Sequence, residues 1–261
     1  MPRSRVRSPC RPPPGGKSNM RRIVWLRILP VAVVLLGLAL LASAGPGNAP
    51  SSRLAPDPEA VALIERVESY HQSLPHFEAR FEQRFSPRIF GRDRVETGRL
   101  TVKRPARMRW DYEEPEPKVF VSDGASTWFH VPADQQVVVG AFGDGQGADG
   151  EAEGLNPLEF LTGDATILDH FDALLASEPP DPGLRTVALV PRQTNGEITS
   201  LSLTVDAESG RIQGIESEDL EGNRTTFRFT DFRFGTSPDD SLFTFIIPPG
   251  TDVVTASDIR P

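Results

Sequence analysis

Val61, Ile64, Val67, His71 and Leu74 recur at steps of three and four, the spacing of one face of an α-helix. Pro58 suits the first helical position, where its missing N–H would have no partner anyway, and Pro75 ends the run. The period then changes to two. Phe77, Ala79, Phe81, Gln83 and Phe85 alternate with His76, Glu78, Arg80, Glu82 and Arg84, which predicts a strand with one apolar and one charged face. Leu100 and Val102 lead to Met108, Trp110 and Tyr112 across a break at Pro105. Strands follow at 118–122, 126–131 and 136–139, the first two flanking the turn signal Asp123-Gly124-Ala125. Further strands are predicted at 186–190, 198–205, 211–216, 224–234 and 242–247. About ten antiparallel strands joined by short turns predict a mainly β fold, a large curved sheet or barrel with few helices.

Two inserts interrupt this pattern. Residues 140–154 are rich in Gly, Asp and Glu; Asp144, Asp149 and Glu151 match no calcium-loop spacing, so the segment reads as an acidic loop. Asn156-Pro157 then opens a short helix bearing Leu155, Leu158, Phe160 and Leu161, ended by Gly163. Such a helix is either a plug on the concave face of the sheet or a lid over it. At the other end of the chain, Arg21 and Arg22 precede an apolar run from Ile28 to Leu41, and Ala42-Ser43-Ala44 follows. Basic start, short apolar core and small-x-small end describe a cleavable secretory signal peptide. The expected organisation is therefore an N-terminal extension and signal peptide at 1–44, a Pro/Ser/Gly-rich linker at 45–57, and a body at 58–261.

Charge sharpens this division. All 36 acidic residues but only 20 of the 28 basic ones belong to residues 45–261. A body that acidic repels phosphate backbones, which excludes nucleic acid as the expected partner. Cys10, the one cysteine, makes no internal disulfide, and the four histidines have no metal-ligand spacing, so neither a metal nor another cofactor is expected. No G-x-S-x-G, H-E-x-x-H or phosphate-cradling loop is present, and the expected protein is not an enzyme. One cationic residue stands out. Counting by twos from Leu100 and Val102 places Arg104 on their apolar face. Its guanidinium either meets backbone carbonyls at a helix end or reaches water at the end of the strand; spacing alone favours water.

Four motifs in order carry a resemblance to a known family. They are Phe77-Glu78-Ala79-Arg80-Phe81-Glu82-Gln83, the run from Gly98 through Lys103-Arg104-Pro105 to Arg109-Trp110, Val121-Ser122-Asp123-Gly124 with Trp128-Phe129-His130, and Phe243-Thr244-Phe245 before Pro248-Pro249-Gly250. Over about 60–253 the chain resembles LolA, the periplasmic outer-membrane lipoprotein carrier family. The resemblance implies an unclosed, strongly curved antiparallel β-barrel covered by helices. It implies an apolar cavity that takes acyl chains of lipoproteins from an inner-membrane ABC transporter to an outer-membrane receptor lipoprotein. The family's lid-clamping arginine falls on Arg104 and its cavity tryptophan on Trp110, while the aromatic residue near its entrance is replaced by Met108. On that fold the expected cavity wall is Phe81, Leu100, Val102, Met108, Trp110 and Trp128, and the expected lid helix carries Leu158 and Leu161. The expected protein is a periplasmic monomer. Two other functions fit the same fold: a carrier of another lipid, such as a glycolipid, and a periplasmic regulator that senses lipoproteins.

Overall fold

The structure is a computed structural model that describes residues 57–89, 91–141, 157–164, 166–176, 181–192 and 198–255. The expected signal segment 1–44, most of the linker and residues 142–154 of the acidic insert lie outside the described residues.

The predicted first helix is α1 (Pro58–Ser73). Asp57 caps it by accepting a hydrogen bond from the Glu59 N–H, Pro58 enters its first turn, and Leu74 closes it. Ala60, Leu63, Ile64, Val67 and His71 are buried, so the stripe lies slightly to one side of the predicted one and leaves Val61 half-exposed.

Twelve strands follow among the described residues. They are β1 (His76–Ser86), β2 (Arg94–Lys103), β3 (Arg107–Glu114), β4 (Lys118–Asp123), β5 (Ser126–Val131), β6 (Gln136–Ala141), β7 (Phe171–Leu175), β8 (Leu184–Pro191), β9 (Ile198–Asp206), β10 (Ile212–Asp219), β11 (Arg224–Arg233) and β12 (Asp252–Thr255). A short α2 (Ile167–His170) precedes β7. These strands join one sheet in the order β12-β6-β5-β4-β3-β2-β1-β11-β10-β9-β8-β7, so β12 and β7 are its edges and the sheet does not close.

Ladder pairing is antiparallel throughout, except that β12 runs parallel to β6, a departure from the all-antiparallel expectation. The strand predicted at 242–247 is absent too. Asp239 accepts a hydrogen bond from the Ser241 N–H and starts a 3-10 turn at Asp240–Phe243, which turns the chain across the sheet instead of along it. Pairing resumes only at β12.

The sheet is concave around one apolar cluster. Trp110 on β3 and Phe227 on β11 are separated by three strand spacings, roughly 14 Å, yet their ring centroids are 5.4 Å apart. The cluster collects side chains from all of β1–β11, and α1 lies over it with Phe160, Leu161, Ile167 and Leu168. A second, smaller group forms on the outer face. Val121, Val137 and Phe243 are buried there beneath the C-terminal turn, with the Arg107 guanidinium over the Phe243 ring.

Candidate functional site

Strand alternation builds the inner wall in rows. Register aligns Phe77, Val102 and Met108 in one row and Ala79, Leu100, Trp110 and Phe120 in the next, followed by Phe81, Gly98, Tyr112 and Lys118. Gly98 is required at its place: a Cβ there would lie 2.8 Å from the Phe81 ring and 2.1 Å from the Asp111 carbonyl. The bare backbone lets Phe81 lean over β2 and meet Trp110 and Tyr112 edge to face, each at 4.9 Å. Trp110 also contacts Phe227 and Phe229, and its Nε1–H donates to Met108 Sδ at 3.3 Å. Phe81, Leu100, Val102, Met108 and Trp110 are all shielded from solvent, packed on one another beneath the covering segments.

Trp128 is a correction. On β5 it alternates with Phe129 and Val131, which face the inner cluster, so Trp128 points to the outer side and stacks on Phe245 at 6.4 Å. Alternation identifies two faces of a strand, but Trp128 and Phe129 are both aromatic neighbours, and composition does not say which of them turns inward.

The cover consists of α1 and the segment after the acidic insert. The helix predicted there is a 3-10 turn, Pro157–Thr162, with Phe160, Leu161 and Thr162 buried. Phe160 meets Phe171 edge to face. The Leu158 side chain lies outside the described residues. Gly163 (φ +69°) ends the turn, and a Cβ there would sit 2.7–2.9 Å from the backbone of His71 and Gln72. The segment is thereby pressed onto the C-terminal end of α1.

His71 joins three elements. Its Nε2 accepts from the Ile212 N–H of β10 at 3.2 Å, which leaves Nδ1–H to donate to the Leu161 carbonyl at 3.4 Å. Burial pulls its pKa down to about 4, with the Leu161 contact acting weakly the other way, so the ring is neutral at pH 7. Glu68, one turn earlier on α1, accepts from the Ile167 and Leu168 N–H groups and caps α2.

Arg104 stands where β2 turns into β3. One guanidinium nitrogen donates to the Gln72 carbonyl, one of the last carbonyls of α1, which have no partner inside the helix. Another donates to Asp164 Oδ1 at 3.2 Å, and Asp164 Oδ2 accepts the Ala106 N–H at 2.8 Å. The cation meets the negative end of the α1 dipole and a carboxylate together, so these bonds are charge-assisted. The water-reaching alternative for Arg104 is therefore set aside, although the side chain keeps 28 % of its exposure. Asp164 had no signal in the sequence: it stands 60 residues beyond its partner, in the middle of an irregular segment.

Glu159 lies in the same turn. Burial raises its carboxyl to about pH 7, and the nearby Asp164 charge adds to the effect. Among the described residues no three His, Cys, Asp or Glu side chains gather to hold a metal. The arrangement is an apolar, aromatic interior beneath a cover bonded to the sheet at β10 and at the turn between β2 and β3, suited to sequestering hydrocarbon.

The family described as outer membrane lipoprotein carrier protein LolA matches residues 72–246. An outer-membrane lipoprotein carrier protein of Chromohalobacter salexigens is 32% identical over 84% of this chain and 92% of its own. One of Methylococcus capsulatus is 30% identical over 62% of this chain and 74% of its own. Among solved structures, an uncharacterized conserved protein from Thermus thermophilus aligns with a TM-score of 0.47 at 13% identity, covering 75% of this chain and 98% of that one.

Proposed function

The chain belongs to the LolA family of outer-membrane lipoprotein carrier proteins, and from that premise we propose that it carries acylated lipoproteins across the periplasm with their acyl chains sheltered in the aromatic interior. In this reading an inner-membrane ABC transporter loads it and an outer-membrane receptor lipoprotein unloads it. It acts by binding and release, without catalysis. The protein reaches the periplasm through the signal peptide within 1–44, which follows an N-terminal extension, and works as a monomer.

The observation that carries the reading is the bridge from Arg104 to Gln72 and Asp164, which fastens the cover over a continuous apolar cluster. Hydrocarbon burial is worth about 0.8 kcal/mol per methylene, so a sixteen-carbon chain wholly sheltered gains on the order of 12 kcal/mol. A site that kept all of that would not release its cargo. An empty open site would expose a patch that promotes aggregation. Closing the cover over the aromatic side chains answers both. Loading must break the bridge and separate packed rings, which subtracts from the gain, and the tendency to reclose then favours release.

The test is Arg104→Leu, loaded in the periplasm and offered to receptor-bearing membranes. The variant is expected to bind cargo and hold it, because nothing draws the cover back. Handover as efficient as that of the unaltered protein would overturn the role given to Arg104.

A further inference from the structure

At the third inner row and the one after it the wall changes character. Gln83 on β1 is directly opposite Glu96 on β2, and Tyr112 on β3 is directly opposite Lys118 on β4, all on the face that carries Phe81 and Trp110. The Tyr112 hydroxyl donates to Gln83 Oε1 at 2.8 Å. Lys118 reaches across β3, over the Tyr112 ring at 4.8 Å, and pairs with Glu96. Gln83 and Tyr112 are buried, and the Lys118 and Glu96 side chains keep only 9 % and 12 % of their exposure. Four polar groups thus close on one another next to the apolar inner rows of Met108 and Trp110.

We propose that Gln83, Glu96, Tyr112 and Lys118 form the floor of the acyl-binding interior and set the longest chain it accepts, an inference that rests on the carrier reading above. Hydrocarbon entering from the Arg104 end would pass the rows of Met108 and Trp110 first. Its tip would then meet a paired ammonium and carboxylate and a satisfied hydroxyl–amide bond. To go further it must separate them in a place closed to water, and nothing on a methyl group compensates either charge. A buried ion pair rarely stabilises a fold more than apolar residues of the same volume would. Its place on a greasy wall is accounted for when it marks a boundary. The depth fits as well. From Val102 to Glu96 is six residues of β2, roughly 20 Å, comparable with the acyl depth of one membrane leaflet, about 15 Å.

The experiment measures the affinity of the purified full chain for single-chain acyl probes of increasing length, about 10 to about 20 carbons. It compares the unaltered protein with Glu96→Leu/Lys118→Met and with Gln83→Leu/Tyr112→Phe. Each added methylene is expected to tighten binding about fourfold until the tip meets the polar row, after which affinity levels off. In both double variants the rise is expected to continue for several more carbons. Circular dichroism identifies a variant that has not folded, and the other pair then decides. A levelling point that stays at the same length in a folded variant overturns the floor while leaving the carrier reading intact. Affinity that does not depend on chain length in the unaltered protein overturns the carrier reading, and the floor with it.

Discussion

His71 shows how one side chain ties three elements together and makes the tie sensitive to acid. Neutral, it accepts from Ile212 and donates to Leu161; protonated, it has no lone pair for Ile212. Its folded pKa is about 4, against an ordinary value of 6.5. Between those two values the unfolded chain binds the proton and the folded one does not. The contribution of this group is therefore complete above about pH 6.5 and falls as the solution is acidified toward 4, by about 3 kcal/mol in all. His71→Gln removes the ionisable group and keeps a donor and an acceptor. Urea midpoints measured between about pH 6.5 and about pH 4.5 should fall less steeply for the variant than for the unaltered protein. Parallel slopes would show that burial does not hold the ring neutral.

At the scale of elements, the cover behaves as one piece. Leu161 is bonded to His71, α2 is capped by Glu68, and Gly163 lies against the α1 backbone, so the turn at Pro157–Thr162 and α1 hold each other. Gly163→Ala would combine a positive φ with a Cβ inside van der Waals range of fixed backbone. Lifting the turn should cost more than about 1 kcal/mol of stability, read as a lower denaturant midpoint. Asp164 and Arg104 share one network, so their effects should not add. Asp164→Ala and Arg104→Leu each free the Ala106 and turn amides to exchange faster, and the double variant should exchange hardly faster than either alone.

Much of this level is legible in the sequence, because period two and period 3.6 depend on neighbouring residues only. The strand alternation and the span of α1 are cases in point, and the apolar face of β1 already included Gln83. What depends on distant partners was not legible. Asp164 meets Arg104 only after the sheet has formed, and Lys118 meets Glu96 only because β3 separates their strands. Trp128 failed for a related reason: the residue that covers it on the outer face, Phe245, comes from much farther along the chain.

For the whole molecule, the sheet divides into two working parts. α1 is tied to the part from β7 to β10: the Asp57 N–H donates to the Ala173 carbonyl, Arg66 bonds the Ala207 carbonyl, and His71 accepts from Ile212. Toward β2 and β3 the cover is bonded through Arg104 and Ala106. Opening at that turn would leave the anchored side undisturbed and expose the rows of Met108 and Trp110. The outer face is built for a different task. Phe243 is buried away from the interior, and Arg109 donates to the Leu242 carbonyl, so the C-terminal turn braces the outer side of β3 and β4. Stability and uptake should therefore separate on mutation. Phe243→Ala empties a buried site and should lower stability by about 3–5 kcal/mol, while the affinity for an acyl probe in the folded protein stays unchanged. Arg104→Leu should lower stability by at most about 2 kcal/mol, since its partly exposed partners regain water, yet slow the release of the same probe. Thermal denaturation and probe dissociation, run on both variants, check the pair of expectations. If Phe243→Ala changed probe release as much as Arg104→Leu did, the two faces would be coupled through the sheet, and the division of labour between them would fail.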